Sequence, residues 1–471
     1  MTVAGTLARW AAETAITEST VALTRARQGI WDTIGCMVAG AGDTGAARVR
    51  ATVAPWGTGP ATVIGARRKA PAPWAALANG MAAHVLDYDD NYHPASTHAS
   101  AVLVPALLAL GEEIGASGAC FLDAYVIGSE VQAAVAQGVN RIHYDSGWHG
   151  TSTVGTIGTA AACARLLGLD AEAMTNAISL GASMASGTKV QFGSMAKPYH
   201  AGMAAQNAVL AAGLAANGVT GRGDALEGRL GFRALYAGPR SPGWKSVLPG
   251  LGNPLYIEKY GLAPKLYPCC GSAHRTLDGL LELRRRHGFG AADVAAVETL
   301  VGFTNNRNLM YPDPRNEMEA RFSMHYCVAV ALLFGRLSLA DFTPRAVGRP
   351  RVRRLLPLTS MRGRPQKDEN NDPAKRKPVL VKVRLKDGQV LRTRVQYARG
   401  TVFRPFDDGD LEGKFRDCVE GFLAPGAIAA TERALARLGS LKSVRGLTRH
   451  LVFQAGADRG ERFEGRPRRP A

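Results

Sequence analysis

MAAHVLDYDDNYHPASTHAS, residues 81–100, opens as an Ala-rich apolar run and becomes, within a few residues, a cluster of carboxylates and imidazoles. Asp87, Asp89 and Asp90 stand beside His84, His93 and His98. Pro94 has no N–H to donate and restricts the residue before it, so the helix that enters over Trp74 to Asp87 cannot continue through it. The segment predicts a helix end followed by a loop, where proton-transfer groups are readily presented. Any one of these residues alone reads as part of a solvated acidic loop. Three of the chain's 10 histidines falling in one short segment argue for a site instead.

On either side of this segment the chain reads as helices. Leu7, Trp10, Ala11 and Thr14 repeat at helical spacing, and Ile30, Ile34 and Met37 form one stripe of a helix over residues 21–38. Residues 61–65, ATVIG, read as a short strand or extended loop, and Pro73 suits a helix start. Residues 101–111 and 121–139 read as buried helices. SGWHGTSTVGTIGTAAA, residues 146–162, places His149 where a Gly-rich loop enters a small-residue helix, a seat for a carboxylate rather than a phosphate loop. Lys197, in MAKPYH before a helix over residues 202–217, is a lone lysine among small residues and reads as a buried functional amine.

After residue 264 the pattern changes. KLYPCCGSAH at 265–274 leads into a helix, residues 291–301 end in a β-branched run, and RFSMHYCVA at 321–329 opens another helix. Residues 379–385 and 390–397 alternate around Lys386-Asp387-Gly388, a β-hairpin signal. The polar stretch 362–377 reads as a surface loop. The fold class expected is mainly α: a large all-α domain built from both ends of the chain, with a smaller α/β unit inserted. The boundaries expected are 1–264 and 406–458 for the helical domain, 265–405 for the insert, and 459–471 for a basic tail.

Size and composition set limits. The chain has 471 residues, 46% hydrophobic and 20% charged, which makes it globular rather than disordered. Aromatics are only 7%, so close helix packing through Ala and Gly is favoured over an aromatic β core. The formal charge of +18 suggests nucleic acid or a small polyanion as partner. No zinc-finger spacing, RNP-like run or bZIP pattern supports the first. Seven dispersed cysteines with no C-x-x-C read as reduced and intracellular, and signal neither a zinc knuckle nor a typical iron–sulfur cluster. No secretory signal is evident and no run reads as a membrane span, so a cytoplasmic protein with no membrane partner is expected.

Four segments, HVLDYDDNYHPASTH, GWHGTSTVGTIGTAA, MAKPYHAGMAAQNAV and KLYPCCGSAH, together resemble the MmgE/PrpD family, as do RFSMHYCVA and the hairpin followed by RGTVFRPF. The resemblance covers nearly the whole chain. Members of the family include 2-methylcitrate dehydratase, cis-aconitate decarboxylase and iminodisuccinate epimerase. It implies a helical domain, a lid-like α/β domain, a homodimer, and a cleft that works without an organic cofactor on di- or tricarboxylates. Residue by residue, Asp87 matches the first acidic residue of the D-[FY]-D-D motif, and His98 the histidine that closes the segment. His149 matches the histidine before the Gly-rich helix, Lys197 the lysine of A-K, and Tyr326 the tyrosine after F-S. Lys265 opens K-x-Y-P, and His274 lies where many members also have histidine. Asn91 stands where Thr is common. Catalysis is thus assigned to Asp87, His98, His149, Lys197 and Tyr326, and substrate binding to Asn91, Lys265 and His274.

Such substrates react through negative charge developing beside a carboxylate. Ammonium groups stabilise that charge, and imidazoles carry protons near neutrality. The expected activity is a metal-independent, 2-methylcitrate dehydratase-like hydro-lyase. Decarboxylation of a cis-aconitate type and epimerisation of an iminodisuccinate type are its alternatives on the same scaffold. A metal-dependent hydrolase using Asp87, Asp89, Asp90, His93 and His98 ranks low, because two ligands on one helical face are not signalled. A nucleic-acid binder rests on charge alone. His84 reads as a core histidine, Asp89 and Asp90 as caps or ion-pair partners, and Cys269 and Cys270 as small buried hydrophobes.

Overall fold

The computed structural model describes residues 2–16, 19–370 and 372–454. The expected basic tail, 459–471, lies outside them. Helices Val3–Glu13 and Thr20–Ala41 are followed by Ala72–His84, Ser100–Ile114, Gly118–Val139, Gly150–Leu166, Ala171–Ser183 and Ala196–Ala216. Their cores are small residues, so axes pack closely. Gly80 and Gly202 mark the tightest crossing: a Cβ on Gly80 would stand 2.7 Å from the Gly202 Cα, and one on Gly202 would stand 2.3 Å from the Leu77 carbonyl oxygen. That backbone-to-backbone contact is what lets Ala72–His84 and Ala196–Ala216 present side chains to the same space.

The helix predicted over Trp74 to Asp87 begins earlier, at Ala72, and ends at His84. The helix expected from residue 202 begins at Ala196 instead. Pro198 falls in its first turn, where its missing N–H has no intrahelical partner to lose. ATVIG contributes only an isolated bridge, Ala61 to Ala70. Gly118–Val139 is long and apolar enough to cross a membrane, contrary to the reading that no run is, but 83% of its apolar window is buried inside the protein. Its apolarity serves the core.

Four strands form one mixed sheet in the order β2-β1-β3-β4. β1 is Val294–Val301, β2 Thr359–Gly363, β3 Val379–Leu385 and β4 Val390–Val395. β1 pairs parallel with β2 and antiparallel with β3, with Val297 opposite both Thr359 and Val383. β3 follows the strand period: Val379, Val381, Val383 and Leu385 are buried while Arg384 faces water. The expected hairpin is β3–β4, turning at Gly388 with φ +90. β2 is a strand that the sequence reading does not anticipate, and its last two residues fall in the polar stretch 362–377 expected as a surface loop.

The expected α domain with an inserted α/β lid is corrected here. The chain is 57% helical, so mainly α holds, but a separate inserted lid domain is not shown. The strands are few, and the segment around them is fastened to the helices by fully buried polar contacts. Lys265 lies 1% exposed against Asp87, and Arg321 donates to the Leu86 carbonyl at 3.2 Å. The apolar packing interlocks as well: Phe192 joins the core around the sheet, while Met318 and Leu339 join the helical core. Charges held this way cannot be lifted into water and back as a hinged cover requires, because an unpaired buried charge is costly.

Candidate active site

The backbone beyond His84 makes a sharp turn. Asp87 adopts φ +50, a left-handed conformation that Asp tolerates better than most residues but that still costs about 1–3 kcal/mol. Three remote cations hold this turn. Arg321 donates to the Leu86 carbonyl at 3.2 Å, Lys265 to the Asp87 carbonyl at 3.0 Å and Lys414 to the Tyr88 carbonyl at 2.7 Å. Lys414, from helix Asp408–Val419, also pairs with buried Asp32 at 2.6 Å. Three consecutive carbonyls are thus gripped by charged donors from three distant parts of the chain.

The turn delivers Asp87 to two ammonium groups. Its Oδ1 accepts from Lys197 Nζ at 2.7 Å and from Lys265 Nζ at 3.0 Å, all three side chains being buried. Lys265 also lies 3.7 Å from Asp89 Oδ1. Burial alone would raise both carboxyls. The lysines outweigh it at Asp87, and the hydrogen bond from His84 with the charge of Lys265 outweighs it at Asp89, so both stay ionised. Lys265, between two carboxylates, is held above the ordinary ammonium range against its burial. Lys197 has only Asp87 close by and feels the like charge of Lys265, so burial leaves it below that range.

Imidazoles line the other side. His84 Nδ1 meets Asp89 Oδ2 at 2.8 Å, and His98 Nδ1 lies 2.8 Å from the Asp90 carbonyl. A carbonyl only accepts, so Nδ1 of His98 is assigned the proton and Nε2 the lone pair. His149, at the N-cap of Gly150–Leu166, contacts His200 through Nδ1 at 3.1 Å, leaving its buried Nε2 without a protein partner among the described residues. The His84 ring lies 4.6 Å from His98 and 5.8 Å from His149, centroid to centroid. Burial, reinforced by neighbouring cations, lowers all three, His84 to about 3, so they are neutral at pH 7.

These groups sit in the wall or floor of one cavity of about 190 Å³. Asp87, Asn91, His98, His149, Lys197 and His274 line it, with Phe192 and Phe322 as apolar walls. Lys265 lies behind Asp87 and His84 behind His98. His274 bonds the Cys269 carbonyl through Nε2 at 3.1 Å. Tyr326 stands apart: it is fully buried, its hydroxyl donates to the Asp341 carbonyl, and its ring packs on Phe342. It does not line the cavity. Asp90 turns away to Ser100, and burial raises its carboxyl to about 7.

Donor atoms of His84, Asp87, Asp89 and His98 lie within 4.8 Å of one another, a spacing that could gather a metal ion. The ammonium groups of Lys197 and Lys265 already stand on Asp87 Oδ1, and Lys265 lies 3.7 Å from Asp89 Oδ1, so their charges oppose a metal ion beside these carboxylates. This donor set fits internal cations better than a metal. The outer part of the cavity was not legible in sequence. Arg364, Asp368, Glu369, Asn370, Arg376 and Lys377, all from the stretch that reads as a surface loop, form part of its wall.

Family models match both parts of the chain: the MmgE/PrpD N-terminal domain over residues 5–245 and the MmgE/PrpD C-terminal domain over residues 267–438. The chain is similar to the cis-aconitate decarboxylase of Homo sapiens, 30% identical over 390 residues that cover 80% of this chain and 79% of that protein. The Mus musculus cis-aconitate decarboxylase is 30% identical over 393 residues, 81% of this chain and 78% of that protein. That of Aspergillus terreus is 27% identical over 342 residues, 68% and 69% of the two chains. With both family models matched in order along most of its length, this chain belongs to the MmgE/PrpD family.

Proposed function

We propose that this protein is a lyase that removes CO2 from a small unsaturated tricarboxylate of the cis-aconitate kind. The observation that carries the reading is the buried Asp87–Lys197–Lys265 cluster facing three neutral imidazoles across one cavity. The similarity to decarboxylases favours loss of CO2 over the dehydration expected from sequence.

In such a substrate one carboxylate sits on a methylene next to the double bond. When its C–C bond breaks, CO2 leaves and the electron pair enters the allylic system. The double bond shifts to the former methylene carbon. Negative charge collects on the vinylic carbon and its own carboxylate, as a dienolate. Lys197, lowered by burial and held in place by Asp87, puts an ammonium where that charge develops. His98 or His149 then protonates the vinylic carbon, and the product carries a terminal methylene. Both imidazoles are neutral in the empty site; a bound trianion raises their proton affinity and makes one of them a proton carrier. Asp87 touches no substrate in this scheme; it fixes the two ammonium groups.

The test is incubation with cis-aconitate in deuterated water. CO2 release with one solvent deuteron on the former vinylic carbon supports the reading. Water loss from a hydroxy-tricarboxylate, with no CO2 from cis-aconitate, would replace it with the dehydratase reading.

A further inference from the structure

The inner cluster is electrically balanced. Two carboxylates, Asp87 and Asp89, face two ammonium groups, Lys197 and Lys265, within 3.7 Å. A trianion entering the cavity finds no net positive charge there. That charge has to come from elsewhere in the same wall.

The outer wall has it. Arg141, Arg275, Arg364 and Arg376 all line the cavity. Arg141 is matched by Asp145 at 3.1 Å. Arg275 and Arg364 have no carboxylate within 4 Å among the described residues. Among the described residues Arg275 donates to backbone carbonyls, to Lys377 at 3.0 Å and Gln396 at 3.4 Å, and Arg364 donates to the Pro378 carbonyl at 2.9 Å. The Arg364 Nε is buried and unbonded among the described residues. The guanidinium groups are close enough to feel one another. Burial, then the charges of Arg141 and Arg275, lowers Arg376 to about 10 against the opposing charge of Glu369; at Arg275 burial lowers, Glu369 raises and Arg364 lowers. Asp368 and Glu369 line the same wall and offset part of this charge; the guanidinium groups outnumber them, and a substrate carboxylate can take up the rest. Arg376 reaches His93 at 3.4 Å, so this group adjoins the loop that carries His98. Arg275 follows His274 on the rigid helix Gly271–His287, which gives the planar guanidinium a fixed mount.

We propose that Arg275, with Arg364 and Arg376, forms a carboxylate subsite that holds the substrate carboxylate left unbound by the inner cluster, and so selects tricarboxylates over dicarboxylates. The subsite rests on the reading of a tricarboxylate as substrate, but its test does not need turnover.

Propane-1,2,3-tricarboxylate is saturated and has no allylic route for loss of CO2. Its binding is measured by calorimetry beside glutarate and methylsuccinate, which each lack one of its carboxylates. The wild-type protein should bind the tricarboxylate at least tenfold more tightly than the better dicarboxylate. Arg275→Gln should erase that preference, and Arg275→Lys should keep part of it. In turnover assays KM should rise about tenfold with kcat nearly unchanged. Full preference in Arg275→Gln, or none in the wild type, overturns the subsite. If Arg275→Gln does not fold, Arg364→Gln is read by the same criteria. A tricarboxylate preference without CO2 release sinks the decarboxylase reading and leaves the subsite. CO2 release with the preference unmoved by substitution sinks the subsite alone.

Discussion

The two ends of the cavity handle charge in opposite ways. At the inner end the cluster is buried and balanced, with Asp87 between Lys197 and Lys265, Asp89 beside Lys265, and neutral imidazoles around them. At the outer end Arg141, Arg275, Arg364 and Arg376 outnumber the carboxylates of Asp368 and Glu369 in the same wall. The contrast divides the labour. The inner end holds its cations still, so they do not reorganise when charge develops on the substrate, while the outer end supplies the attraction.

The largest break of this contrast is Asp87→Asn. It leaves two buried ammonium groups without their shared carboxylate. Turnover should fall below detection, and stability by about 3–5 kcal/mol, read from denaturant melts. A variant as stable as wild type would mean that the inner balance is not structural. His149→Ala comes next: turnover should drop about 10²–10⁴-fold while circular dichroism stays that of the wild type. Retained activity would remove His149 from the proton path.

Acid should act on the buried histidines before it reaches the ionised Asp87 and Asp89, and the histidines outnumber the raised Asp90 carboxyl, which works in the opposite sense. His84 and His274 are held at about 3 and His143 at about 4, mainly by burial. Unfolded, each takes up a proton below about 6.5. Between those limits the unfolded chain binds more protons, so stability falls as pH falls, by about 1.4 kcal/mol per pH unit for each such histidine. The urea midpoint should be lower at pH 5 than at pH 7.5; an unchanged midpoint would contradict the neutral assignments. The smallest effect is salt. Raising ionic strength from 0.05 to 0.5 M, by order of magnitude, should raise KM several-fold and leave kcat within about twofold, because screening reaches the outer guanidiniums and not the buried pairs. A kcat that follows KM would erase the distinction between the two ends.

Sequence made the inner end largely legible. Asp87, His98, His149 and Lys197 are polar groups set in apolar or small-residue surroundings, in segments that resemble one family, and all four line the cavity. His84 is buried on its helix as read, but nothing in the sequence points to its partners: the turn at Asp87 brings Asp89 to its Nδ1 at 2.8 Å, and its ring lies 5.8 Å from that of His149. Arg321 and Lys414 left no signal, since each acts on a backbone carbonyl far away in the chain. Arg364 and Arg376 were lost in a charged run with no periodicity, the pattern of a solvated loop, and Arg141 and Arg275 carried no motif signal of their own. Tyr326 shows the reverse failure: it fits the motif but packs away from the cavity. The helices followed from apolar spacing. The division into body and lid did not follow, because buried cross-connections such as Lys265 to Asp87 leave no trace in a linear pattern.

The grip on the Leu86, Asp87 and Tyr88 carbonyls has a bearing on biosynthesis. One of its three fingers, Lys414, lies 326 residues further along the chain than Tyr88. A nascent chain that has already folded its first helices still lacks the contact that steadies the Asp87 turn. Competence therefore arrives late, as the C-terminal segment leaves the ribosome, and a shortened polypeptide ending before Lys414 would be a scaffold with an unfinished centre.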